Sequence, residues 1–81
     1  MPYIDQSARE DIAKSPRVPR NAGELNFAFT LIAGGYLIEQ GESYQVYNDI
    51  IGALECCKLE LFRRRVAPYE DAKIREYGDV W

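Results

Sequence analysis

The stretch Ser43–Val66, SYQVYNDIIGALECCKLELFRRRV, constrains the fold most, because it holds no proline and reads as one amphipathic helix. Placed at about 100° per residue, Tyr47, Ile50, Ile51, Leu54, Cys57, Leu61 and Phe62 fall on one apolar arc. Tyr47, Ile50, Leu54, Cys57 and Leu61 also follow the alternating three–four spacing of a coiled-coil seam. Ser43 is the expected N-cap, its hydroxyl accepting from a free N–H of the first turn. Pro68 is expected to end the helix, since it has no N–H to donate and crowds the turn before it. Lys58 and Arg65 interrupt the arc near its middle, and Glu55 stands three residues before Lys58, within pairing reach. Burying an unpaired cation is costly, so the two have two readings. Their stems lie on apolar surface with the heads in water, or they face an anion or a partner's carboxylate.

A second helix, about Ala22–Glu39, opens on the capping box NAGE, with Asn21 as cap and Glu24 reaching back. Leu25, Phe29, Ile32 and Tyr36 share one face, and Phe27, Leu31 and Ile38 the opposite one. A helix apolar on two sides has to be covered on two sides. One neighbouring helix covers only one, so a dimer or higher assembly is expected. The competing reading folds the N-terminal arm over the second face. Gly34 and Gly35 weaken this helix by about 1 kcal/mol each relative to alanine, which suits a bend, a break or a close backbone approach. Gly41 closes the helix in a tight turn, and so short a turn makes the two long helices antiparallel neighbours.

The flanks are short. Ser7 and Glu10 match a capping box for a helix from Ser7 to about Lys14, with Ala8 and Ile12 facing inward. Ser15–Arg20, SPRVPR, reads as an extended connector; its PxxP spacing also fits a polyproline ligand, the less favoured reading. Beyond Val66, Pro68 suits the first turn of a new helix, Glu70 and Asp71 suit its positive end, and Gly78 stops it. Trp81 either anchors on a partner subunit or packs on its own chain.

The fold class is therefore all-α, an antiparallel helical hairpin with short flanking helices in one domain. Its parts are an N-terminal arm and proline linker (1–20), a helix (21–40), the central helix (43–67), and a short C-terminal helix and tail (68–81). A chain of 81 residues buries a limited core, and assembly into a helical-bundle homo-oligomer is the expected remedy.

A net charge of −3 speaks against a general nucleic-acid binder. There is no histidine, the commonest general base and transition-metal ligand, so no metal site is expected. The two cysteines, Cys56 and Cys57, are adjacent on a helix and point apart, which fits a reducing compartment. Cys57 is expected in the core, with Cys56 facing the other way. The start MPYIDQSARED lacks a basic region followed by an apolar run, so no signal peptide is expected, and Leu25–Ile38 is too short and interrupted to span a bilayer comfortably. A soluble protein of the bacterial host cytoplasm is expected, with no membrane partner and no cofactor.

The run IIGALECCKLELFRRRVAPYEDAKIREYGDVW, preceded by AGELNFAFT and the start MPYI, resembles a family of small uncharacterised proteins of phages and bacterial genomes. That resemblance covers most of the chain and implies no established activity. It picks out Asn26, Glu55, Lys58, Glu60, Arg63, Arg64, Pro68, Tyr69, Glu70, Asp71, Lys73, Gly78 and Asp79. Trp81 departs from the tyrosine that ends the relatives, keeping an aromatic there.

Catalysis is not expected: no carboxylates are fixed at a useful separation, no base serves Ser or Thr, and no phosphate loop is present. A non-catalytic binding role fits better. Lys58, Arg63, Arg64 and Arg65 can neutralise phosphates. Tyr47, Tyr69 and Trp81 can stack on a base, Asn26 and Asn48 can read polar edges, and Glu55 beside Lys58 is counted among the ligand-binding residues. The sharp expectation is a phage-type sponge for a host nucleotide signal, the ligand being a phosphate-containing small molecule or cyclic nucleotide. The bland one is a solvated face in which Glu60, Glu70 and Asp71 pair with the arginines. A protein-interaction module, against a host defence complex or in phage assembly, is the alternative, and a DNA-binding regulator ranks below both.

Overall fold

The computed structural model describes residues 3–14 and 17–81. Residues 1, 2, 15 and 16, where the lead-in and the first half of the proline connector were expected, lie outside the described residues. The described residues are helical with no strand. In chain order they form α1 (Gln6–Lys14), α2 (Ala22–Gln40), α3 (Tyr44–Leu61), a π turn (Phe62–Val66) and α4 (Ala67–Tyr77). They divide into two units, residues 1–47 and 48–81, with the division inside α3.

In the first unit α1 packs against α2. Ile12 is buried and Ala8 half-buried, as their spacing on α1 predicts. The start of α1 differs from expectation: Ser7 does not cap it. The helix begins at Gln6, the Arg9 N–H donates to the Asp5 carbonyl (3.0 Å), and the Gln6 amide donates to Glu10 Oε1 (3.3 Å). The Arg9 guanidinium donates to the Ile4 carbonyl (2.9 Å), tying the lead-in residue to the helix.

Helix α2 runs unbroken through Gly34 and Gly35. A Cβ built on either glycine meets no atom within 4 Å, so no described backbone approaches there. Along α2, Gly23, Phe27, Gly34 and Leu37 form a half-buried stripe, whereas Leu25, Phe29, Leu31, Ile32, Tyr36 and Ile38 are exposed. The arm therefore folds onto α2 but leaves most of its apolar surface open. Gly41 ends the helix at φ 76 and ψ 151, a region that only glycine enters readily, and its N–H donates to the Leu37 carbonyl (2.9 Å). Ser43 caps α3 as expected: its Oγ accepts from the Val46 N–H (3.2 Å).

In the second unit one expectation at Pro68 holds, its place in the first turn of a new helix, and the other, that it ends the run before it, is corrected. The helix does not stop there; α4 follows directly on the π turn. Pro68 occupies the first turn of α4 and brings no N–H to the ladder. The turn before it accommodates this by widening, with the Ala67 N–H donating to the carbonyl of Phe62, five residues back. Backbone continuity is kept, but neither the Arg63 nor the Arg64 carbonyl has a free N–H four residues on.

That widening changes which side chains share a face. One extra residue enters the turn, so everything after it is set back by about one residue step, roughly 100°. In an uninterrupted helix the Leu54–Leu61 stripe would continue through Arg65, Pro68 and Ala72. After the π turn it continues through Val66, Tyr69 and Lys73. No residue of this unit is buried; Ile51, Leu54, Cys57, Leu61 and Phe62 are all exposed. Cys57 is thus a surface thiol in this chain rather than the core residue its place on the arc predicts. Gly78 ends α4 at φ 89, with its N–H on the Ile74 carbonyl (2.8 Å).

The variant Pro68→Ala restores the missing N–H and removes the clash. The π turn is expected to convert to regular α-helix, stabilising the segment by about 1 kcal/mol, within the roughly 3 kcal/mol that separates proline from alanine in a helix interior. Through-hydrogen-bond NMR couplings check this: Ala67 should donate to Arg63 in the variant and to Phe62 in the natural sequence.

Candidate functional site

Helix α3 and the π turn carry most of the residues singled out by sequence. Lys58 Nζ pairs with Glu55 Oε1 at 3.2 Å, as their spacing predicts. Glu60 holds two arginines: its Oε1 accepts from Arg63 Nη2 at 3.1 Å and also from Arg64 Nε. All five side chains are exposed, and such pairs contribute at most about 0.5 kcal/mol each. Arg65 has no side-chain partner among the described residues, and neither have Glu70 and Asp71. Three consecutive arginines thus fall within the π turn, two of them sharing one carboxylate.

Further along, Lys73 Nζ sits 5.5 Å from the centre of the Tyr69 ring and 5.4 Å from that of Tyr77. The cation bridges two aromatic faces at the spacing of successive helix turns. Lys73 was not among the expected binding residues, although its four-residue spacing from both tyrosines signals the contact. Trp81 is fully exposed, and its backbone N–H donates to Asp79 Oδ1 (3.0 Å). The tail therefore does not pack its indole on its own chain. Asn48 is exposed on α3.

Two candidates belong to the first unit. Asn26 is half-buried on α2, and its carbonyl accepts from the Thr30 hydroxyl (3.0 Å). The Tyr47 hydroxyl donates to Glu42 Oε1 (2.9 Å), which raises its pKa above the ordinary 10.0 because the carboxylate favours the protonated phenol. Among the described residues, no group of three or more His, Cys, Asp or Glu is placed to hold a metal ion. No helix among them is long and apolar enough to cross a membrane.

A cluster of polar contacts around Arg17 was not foreseen. Arg17 Nε donates to Asp11 Oδ2 and its Nη1 to Glu24 Oε1, both at 2.6 Å. The same Glu24 oxygen accepts from the Arg20 N–H (3.0 Å), while Asn21 Oδ1 accepts from the Glu24 N–H (2.9 Å). The capping box is thus half realised. Asn21 caps α2 as predicted, but Glu24 reaches past the cap to Arg20 and Arg17. Glu24 is only 7 % exposed, so its charge has to be met, and Arg17 meets it. One guanidinium thereby ties α1, the connector and α2 together.

The hydrogen bond from Arg17, and next that from the Arg20 N–H, lower the Glu24 pKa below the ordinary 4.5. The Arg17 pKa is raised in turn, first by Glu24 and then by Asp11. Because folded Glu24 binds its proton less tightly than the unfolded chain does, its contribution is complete above pH 4.5 and is lost as pH falls through the lowered folded value. Glu24→Gln is expected to lower thermal stability at pH 7 and to flatten its decline between about pH 5 and pH 3. Melting followed by circular dichroism across that range checks both; a variant with the same acid limb as the natural sequence would contradict the assignment.

The whole length of the chain also answers to a family. Residues 1–80 match a family model described as a domain of unknown function (DUF6899). No curated protein and no solved structure matches the chain. The expectation of an uncharacterised family is met at that level, and the chain belongs to the DUF6899 family.

Proposed function

We propose that this protein is a non-catalytic helical interaction module of phage or prophage origin that works as a homo-oligomer in the cytoplasm of a bacterial cell. In the assembled state α2 and α3 are antiparallel neighbours within a helical bundle. A single observation carries the reading: α2 is apolar on two faces, and α1 covers only part of it, leaving Leu31 and Ile38 exposed on one side and Leu25 and Ile32 on the other. Contiguous exposed apolar surface of this kind marks an interaction site. The partners are other copies of the chain and, through the assembly, a protein client such as a host defence complex or a phage structural protein.

A second reading, sequestration of a phosphate-bearing nucleotide, is favoured by Arg65. Among the described residues this cation has no carboxylate partner; it stands beside Arg63 and Arg64 and lies one helical turn from Tyr69. Arginine forks suit phosphate oxygens, and a tyrosine ring suits a base. It ranks second because Lys58, Arg63 and Arg64 already pair with Glu55 and Glu60 on their own helix.

The test is light scattering and native mass spectrometry of the purified protein, alone and with cyclic and linear nucleotides. A discrete oligomer is expected, and Leu31→Glu is expected to yield monomers or aggregates, because a carboxylate does not enter an apolar interface. A well-folded Leu31→Glu variant of unchanged mass would overturn the role of α2. Stoichiometric gain of a nucleotide, weakened by Arg63→Ala without change of subunit number, would move the second reading ahead of the first.

A further inference from the structure

Helix α1 has nine residues, fewer than the roughly 12–15 that an isolated helix needs to persist in water. It is helical because it is docked on α2. Its apolar hold is small: Ile12 is buried and Ala8 half-buried, whereas Gln6, Ser7, Glu10, Ala13 and Lys14 are exposed. Two of its polar side chains bond within the arm, Gln6 to Glu10 and Arg9 to the Ile4 carbonyl. Asp11 bonds beyond the helix, accepting from Arg17 Nε.

The two sides of the Arg17 guanidinium stand in different surroundings. Nη1 meets Glu24, whose side chain is 10 % exposed and which also accepts from the Arg20 N–H. Nε meets Asp11, whose side chain is 55 % exposed. Both contacts measure 2.6 Å, so solvent rather than distance separates them. A pair in water contributes little and is screened by salt. A nearly buried pair is screened much less, and breaking it leaves a charge unmet. The Asp11 contact is the one that gives way first.

We propose that α1 is a strap held over α2 by Arg17, released at the Asp11 side while Glu24 keeps its hold on Arg17. Once released, α1 loses its helix, being too short to stand alone, and Ile12 leaves its buried place. The surface of α2 beneath the arm then joins the apolar surface already open at Leu25, Phe29 and Ile32. The start of α2 is untouched, because Asn21 still caps it and Arg17 still meets Glu24. Raised ionic strength favours the open form, since screening acts on the exposed side of the latch. The strap works within one chain and stands independently of the homo-oligomer.

Amide hydrogen exchange of the full chain, followed residue by residue by NMR, tests the strap. Asp11→Asn is expected to lower the protection of the residue 10–14 amides about threefold and to leave those of residues 26–31 within about 1.5-fold. Raising the salt from about 0.05 to about 0.5 M is expected to lower protection in α1 about twofold in the natural sequence and not in the variant. Glu10→Gln serves as the reference: it removes an equal charge from α1, keeps an acceptor for Gln6, and is expected to change nothing. Losing a negative charge near a helix C-terminus favours the helix itself, so lower protection in Asp11→Asn reports the lost contact with Arg17. Natural protection of α1 in Asp11→Asn, or loss of protection by α1 and α2 in step, would overturn the strap. An equal loss in Glu10→Gln would overturn Asp11 as its point of release.

Discussion

A helix satisfies its backbone internally but has no means of covering its own side chains, and this constraint governs the whole molecule. Where a second element is at hand, as α1 is for α2, a small buried group forms around Ile12 and Glu24. Within residues 48–81, aliphatic and aromatic side chains are exposed. Burial of apolar area is the main favourable contribution to folding, and among the described residues only Ile12 and Val46 are buried apolar side chains.

Pro68 shows how one missing N–H propagates. It denies a donor to the ladder, the preceding turn closes on the carbonyl of Phe62 instead, and the helix survives with its later part rotated. The rotation exchanges Arg65 and Pro68 for Val66 and Tyr69 along the stripe. A backbone adjustment at one residue thereby decides whether the face of α4 is continuous with that of α3. The same turn holds Arg63, Arg64 and Arg65, so the place where the backbone departs from regularity is also the most basic part of the chain.

Electrostatics play different parts in the two units. Around Glu24 a nearly buried carboxylate is met by Arg17 and the Arg20 N–H, and the contact fixes how the arm meets α2. Along α3 and α4 the ion pairs lie in water, where they add little to stability.

The local features were legible in the sequence because they depend on neighbours a few residues apart. The helix from Ala22, the Asn21 and Ser43 caps, the glycine stops at Gly41 and Gly78, the Lys58–Glu55 pair and the inward side of α1 all follow from spacing and from single-residue chemistry. So did membership of an uncharacterised family. What the sequence alone left open depends on groups that meet across the chain or on small differences in backbone energy. Arg17 reaches Glu24 across a proline, where no periodic pattern points. Pro68 was expected to end the helix, and the competition between a lost hydrogen bond and a retained helix instead gives a widened turn. Sequence determined where the helices lie and which faces are apolar; tertiary structure decided which of those faces the chain covers itself, because that depends on where α1 packs and how the π turn rotates α4.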